Sequence, residues 1–140
     1  MAEPVWISLD LIMAIHDRQL AEHGGGSGVR DQGMLESAVY RPQQKFAYRG
    51  AGVDVVELAA AYTFGLARNH PFVDGNKRTA AVVCEVFLEL NGGRLIASDE
   101  DLYPLFLGLA AGEVDETALV EWLRAHVRPA QVSESPPAYG

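Results

Sequence analysis

At 140 residues the chain suits one domain, and 49 % hydrophobic residues are enough to build its core. A net charge of −8 with no basic run argues against direct nucleic-acid binding, and Cys84, the single cysteine, excludes an intrachain disulfide and a cysteine-rich zinc site. The N-terminus has no basic segment leading into an apolar run, and no charge-free apolar stretch reaches membrane-spanning length, so a cytoplasmic protein is expected.

Helical spacing dominates the chain. Ser8 can cap a first helix in which Leu9, Ile12, Met13, His16 and Leu20 share a face, and the glycines at 24 to 26 and 28 end it. Asp31 can cap a second helix through Met34, Leu35, Ala38 and Val39, which the rule for residues preceding proline stops before Pro42. Residues 42 to 53 then read as irregular and exposed. They are either a plain connection or a flap that docks a target through Phe46 and Tyr48. Asp54 with Glu57 resembles a capping pair and opens an alanine-rich third helix from Val55 to about Asn69.

Pro71 discourages helix at His70. A fourth helix is expected from Gly75 or Asn76 to Leu90, apolar around most of its circumference and therefore placed in the middle of a bundle. Cys84 falls on it as a small core residue. Gly92 and Gly93 end it. Arg94 to Ala97 is a short extended segment able to pair with another, but it does not define a sheet. A fifth helix lies within Ser98 to Ala111, its start blurred by Pro104, and Asp115 caps a sixth through Leu119, Trp122 and Leu123. From Arg128 the chain is predicted to be a disordered tail. The expected architecture is all-α: about six helices in residues 1–127, with 128–140 outside the domain.

Chemistry concentrates between the third and fourth helices, in His70-Pro71-Phe72-Val73-Asp74-Gly75-Asn76-Lys77-Arg78. A helix N-terminus offers unpaired N–H groups and partial positive charge, which attract anions. Gly75 allows backbone close to a ligand, and Asn76 adds an amide. Lys77 and Arg78 place two cations where they oppose the helix dipole, a conflict that a bound anion resolves. The segment therefore reads as a phosphate cradle. Asp74 just ahead of it is placed to hold Mg²⁺ together with phosphate oxygens. A histidine such as His70 titrates in the range a general base needs. Base, metal carboxylate and anion hole together suit attack of a hydroxyl on phosphorus. Phe72 reads as a buried anchor. Arg30, Asp31 and Glu36 read as a helix cap plus a surface ion pair, and His16, His23 and His126 receive no role.

The nine-residue segment resembles the signature of the Fic/Doc superfamily, and Lys77 resembles the death-on-curing (Doc) branch, because the main Fic branch usually has glycine there. The likeness covers about residues 5 to 127. It includes Ile7-Ser8-Leu9-Asp10, His16-Asp17, Gly28-Val29-Arg30-Asp31, Leu35-Glu36-Ser37-Ala38, Phe87-Leu88, Asn91-Gly92 and Ala110-Ala111-Gly112-Glu113. The resemblance implies a compact helical fold with the motif loop leading into a central helix. It implies His70 as the base, Asp74 as the Mg²⁺ ligand, and Gly75, Asn76, Lys77 and Arg78 as the nucleotide-binding set, with Lys77 and Arg78 also acting on the transferred group.

Doc toxins phosphorylate a threonine of translation elongation factor Tu, whereas Fic enzymes more often transfer AMP to Ser, Thr or Tyr hydroxyls. Adenylylating relatives usually carry an arginine at the position of Ala81. Lys77 and Ala81 together therefore favour a kinase using ATP and Mg²⁺, with adenylyl transfer as the alternative. A non-enzymatic, antitoxin-binding co-regulator is the second alternative, disfavoured by the intact motif. Many relatives carry an inhibitory helix with Ser or Thr, then Glu four residues on, then Gly or Asn. The nearest match here, Thr117 and Glu121, is followed by Trp122. A separate antitoxin that folds on binding is therefore expected.

Overall fold

The computed structural model describes residues 3–130. Six helices, α1 (Leu9–His23), α2 (Gln32–Arg49), α3 (Val55–Asn69), α4 (Asn76–Leu90), α5 (Asp99–Ala111) and α6 (Glu116–His126), carry the fold. A short 3₁₀ turn, Gly50–Gly52, joins α2 to α3, and two three-residue strands, β1 (Gly93–Leu95) and β2 (Val127–Pro129), pair antiparallel. The expected caps form at Ser8, Asp31, Asp54 and Asp115, and Ser98 caps α5 as well: each side chain accepts from a backbone N–H in the first turn it precedes. At α3 only half of the expected capping pair is present. Asp54 takes the N–H of Glu57, but the Glu57 carboxylate pairs with Arg49 and Arg124.

Three expectations are corrected. First, α2 does not stop before Pro42 but runs through it to Arg49, so residues 42–49 are helix and neither an irregular connection nor a loop-like flap. Proline inside a helix loses one backbone hydrogen bond and costs about 3 kcal/mol. Tertiary contacts offset this: Pro42 is buried, Phe46 meets the edge of Trp6 at 5.6 Å, and Glu116 of α6 receives both Arg41 and Lys45. Phe46 is thus packed on the core, while Tyr48 stays 84 % exposed. Second, Gly93–Leu95 does find a partner, because Val127–Pro129 pairs with it. Arg128 and Pro129 consequently belong to a strand rather than to a tail, and residues 131–140 lie outside the described part of the chain. Third, Arg30, Asp31 and Glu36 make no ion pair with one another; Asp31 caps α2, Glu36 accepts from Gln32, and Arg30 reaches α3 instead.

Helix α3 packs against α2, α4, α5 and α6, and its run of small residues lets all four approach. Helix α4 is flanked by α1, α3 and α5, with one face left open. Aromatic groups tie the N-terminal segment to this centre: Trp6 stacks on Phe87, and the Tyr62 hydroxyl accepts from Ile7 N–H at 3.0 Å. No helix among the described residues is long and apolar enough to cross a membrane.

Burial pushes the Cys84 thiol up to about 12 from its usual 9.0, and the Tyr62 hydroxyl up to about 12 from 10.0. Above pH 9 the unfolded chain therefore loses protons that the folded chain keeps. Stability falls as pH rises from 9 toward 12, by up to about 1.4 kcal/mol per pH unit per group. Urea midpoints measured at pH 8 and 10.5 should show this decline. Cys84→Ala should make it shallower, and an unchanged slope in that variant would place the alkaline sensitivity elsewhere.

Candidate active site

The motif loop is built as a tight bridge from the end of α3 to the start of α4. His70 closes α3 in the left-handed region at φ 50°, the one non-glycine residue with positive φ among those described. Phe72 then turns inward and is fully buried. Asn76 clamps its backbone, accepting from Phe72 N–H at 2.9 Å and donating to Phe72 C=O at 3.0 Å. The Asn76 side chain is thus committed to the loop, and what it presents to a ligand is its backbone N–H. Gly75 is the N-cap of α4 at φ 78°, where a side chain would be strained, and no side chain caps the helix. The N–H groups of the first turn therefore remain available for an anion. Lys77 and Arg78 are exposed beside them, and neither enters an ion pair among the described residues.

Asp74 is exposed and its carboxylate is doubly anchored. Oδ1 accepts from Gly75 N–H at 2.8 Å and Oδ2 from Gly26 N–H at 3.3 Å. These two bonds, the Gly75 bond foremost, hold its carboxyl below the usual 3.8, and the charges of Arg78 and Lys77 act in the same direction. Gly25 lies close by: with φ 120°, and with an added Cβ only 2.8 Å from Asp74 Oδ2, a side chain here would be strained and would press on the carboxylate. Among the described residues no group of three or more His, Cys, Asp and Glu is gathered as a metal site. A single ionised carboxylate beside an anion cradle fits Mg²⁺ held jointly with phosphates.

The His70 ring is half-buried, with Nε2 at 3.3 Å from the carbonyl of Ala110 on α5. A carbonyl oxygen only accepts, so the nitrogen facing it carries a proton, and in the neutral ring the lone pair falls on Nδ1. Arg30 fixes the backbone beneath: Nε donates to His70 C=O at 2.6 Å and a terminal nitrogen to Asn69 C=O at 2.8 Å. This cation sits on the last carbonyls of α3, where the helix dipole favours it. The α1–α2 loop also follows the motif edge to edge, through Val73 N–H to Gly28 C=O at 3.0 Å and an isolated bridge between Val29 and Phe72.

All the residues expected from the sequence to carry chemistry, His70, Asp74, Gly75, Asn76, Lys77 and Arg78, line one open cleft of about 790 Å³. Ala81 lines it too, and the cleft continues along α4 to Glu85, Asp99 and Tyr103. Burial, and then the charges of Glu89 and Asp99, raise the Glu85 carboxyl above its usual 4.5. Sequence reasoning missed this far end, the Arg30 clamp and the Asp74-contacting glycines. It gave no role to His16, which reaches Asp74 across the interior. The signal for His16 and Arg30 lay in the His16-Asp17 and Gly28 to Asp31 segments, which shared the family likeness although no side-chain role could be read from them.

An uncapped helix N-terminus, entered through the loop from His70 to Arg78 and set in a helical fold, places the chain in one family of proteins. The Fic/DOC family model matches residues 6–88, and the chain belongs to that family. Within it the similarity runs to the Doc branch. The chain is 36 % identical over 118 residues to "Protein kinase doc" of Escherichia phage P1, covering 84 % of this chain and 92 % of that protein. It is 47 % identical over 74 residues to "Toxin Doc" of Mycolicibacterium smegmatis, covering 53 % of this chain and 57 % of that one.

Proposed function

We propose that this protein is a toxin acting as a serine/threonine protein kinase, which moves the γ-phosphoryl group of ATP to a hydroxyl of a target protein and thereby arrests translation. One observation carries the reading: an imidazole whose Nε2 faces a carbonyl, a doubly anchored carboxylate and an uncapped helix N-terminus flanked by two cations share one cleft. The phosphates lie against the N–H groups at the start of α4, with Lys77 and Arg78 compensating their charge. Asp74 would hold Mg²⁺, which when bound neutralises phosphate charge. His70 Nδ1 takes the proton of the target hydroxyl as its oxygen bonds to the γ-phosphorus. The bond from that phosphorus to the bridging oxygen breaks, and ADP leaves.

Lys77 and Ala81 both line the cleft, so the two positions that separate the kinase reading from adenylyl transfer bear directly on how the nucleotide lies. Elongation factor Tu is the candidate target. Thr117 and Glu121 are exposed on α6 and do not line the cleft, which supports neutralisation by a separate antitoxin that orders a segment of its own chain on binding.

The deciding experiment incubates the protein and target with Mg²⁺ and ATP labelled separately at the α and γ positions. Label should reach the target from the γ position alone. Label from the α position would reject the kinase and establish adenylyl transfer in its place.

A further inference from the structure

We infer that His16 is a positioning residue for the Asp74 carboxylate, an inference that rests on the reading of Asp74 as the metal-holding group. His16 lies on α1, is 1 % exposed, and stacks on Phe72 with ring centroids 3.7 Å apart and planes 8° from parallel. Its Nε2 is 2.8 Å from the backbone oxygen of Asp74. That oxygen only accepts, so Nε2 carries the proton and donates. The same peptide unit ends in the Gly75 N–H, which holds Asp74 Oδ1 at 2.8 Å. His16 therefore grips one edge of a rigid plane whose other edge orients the carboxylate. The second anchor, Gly26 N–H on Oδ2, comes from the loop that continues α1. Both restraints on the carboxylate thus trace back to one helix.

Packing alone does not explain a histidine here. Nδ1 is buried without a hydrogen-bond partner, the exposed Asp17 carboxylate standing 4.0 Å away and beyond hydrogen-bond reach, a feature that destabilises the fold. Phenylalanine would fill the same slot against Phe72 with no orphaned nitrogen. What phenylalanine lacks is the donor to Asp74, and a buried donor that fixes a ligand's backbone is how outer residues tune metal affinity.

The test compares His16→Phe, which keeps the ring and deletes the donor, with His16→Gln, whose amide nitrogen can take the place of Nε2. Two quantities are read in full-length protein. One is hydrogen exchange of the Gly75 amide without nucleotide or metal. The other is the Mg²⁺ concentration at half-saturation for binding a non-hydrolysable ATP analogue. His16→Phe should stay folded, exchange Gly75 faster, and need about 10–100-fold more Mg²⁺. His16→Gln should lie within a few-fold of wild type in both. An unchanged Mg²⁺ requirement in a folded His16→Phe, or the same defect in both variants, overturns the inference. Wild-type binding that needs no Mg²⁺ overturns the metal reading of Asp74 as well, and the wild-type titration by itself tells these failures apart.

Discussion

His70→Ala should lower phosphoryl transfer by roughly 10²–10⁴-fold, the typical worth of a general base. The structure indicates that this loss will be chemical rather than conformational. The ring is half-buried and makes one hydrogen bond, to Ala110 C=O. The backbone of the residue is held independently by Arg30, whose guanidinium bonds the carbonyls of Asn69 and His70 whatever side chain stands at 70. The N–H groups at the start of α4 and the side chains of Lys77 and Arg78 do not depend on the His70 ring, so nucleotide affinity should persist. Rate, thermal midpoint and ATP affinity measured on one preparation give the check. The same contrast applies in cells: wild type expressed alone should arrest growth and the variant should not, with an antitoxin restoring growth to the former. A variant that transfers phosphate at near the wild-type rate would leave His70 a purely structural C-cap.

Phe72→Ala should be the most disruptive single change in the motif. Truncating a fully buried phenylalanine costs about 3–5 kcal/mol, a large part of the roughly 5–15 kcal/mol that holds a domain of this kind together. Here the cavity would open under the His16 ring and beside the backbone clamp made by Asn76. Because Phe72 stands between His70 and Asp74, loosening it lets the base and the carboxylate drift apart even in molecules that remain folded. Urea denaturation should show the stability loss, and transfer measured well below the melting range should show a further drop in turnover. Phe72→Leu should recover most of the stability. A small change in the urea midpoint together with intact turnover would reduce Phe72 to a replaceable filler.

The motif was legible because each of its properties is local. An uncapped helix start, two cations on its first turn and a carboxylate one residue ahead of its cap are all contiguous, and the structure places them in one cleft. Four helix starts were legible for the same reason, since Ser8, Asp31, Asp54 and Asp115 each cap within three residues. What escaped was decided across distance. Pro42 reads as a stop by every local rule, and it is overruled by Trp6 and Glu116, which approach only after the chain folds. Three residues at Gly93–Leu95 are too few to show alternation, and their partner lies more than thirty positions away. Asn76 reads as a ligand for phosphate, yet its amide faces inward because a buried Phe72 leaves a backbone N–H and C=O to be satisfied. His16 and Arg30 act on backbone oxygens 58 and 40 residues away, and no pattern in a single sequence announces a target that has no side chain.

Both ends of the described chain gather at one pole of the molecule. The Val5 backbone exchanges hydrogen bonds with the Asn91 side chain just past α4, and Pro129 pairs with Gly93 two residues further on. The cleft begins at the opposite end of α4, which at 15 residues is about 22 Å long. Whatever is joined ahead of Val5 or beyond Pro129 is thus attached on the side away from the chemistry. A tether or reporter joined at Val5 or at Pro129 would leave from the end of α4 opposite the start of the cleft. A linker from Pro129 to Val5 would have a short span to cover, so circular permutation of the described residues that opens the chain elsewhere is a practical route to variants with the motif undisturbed.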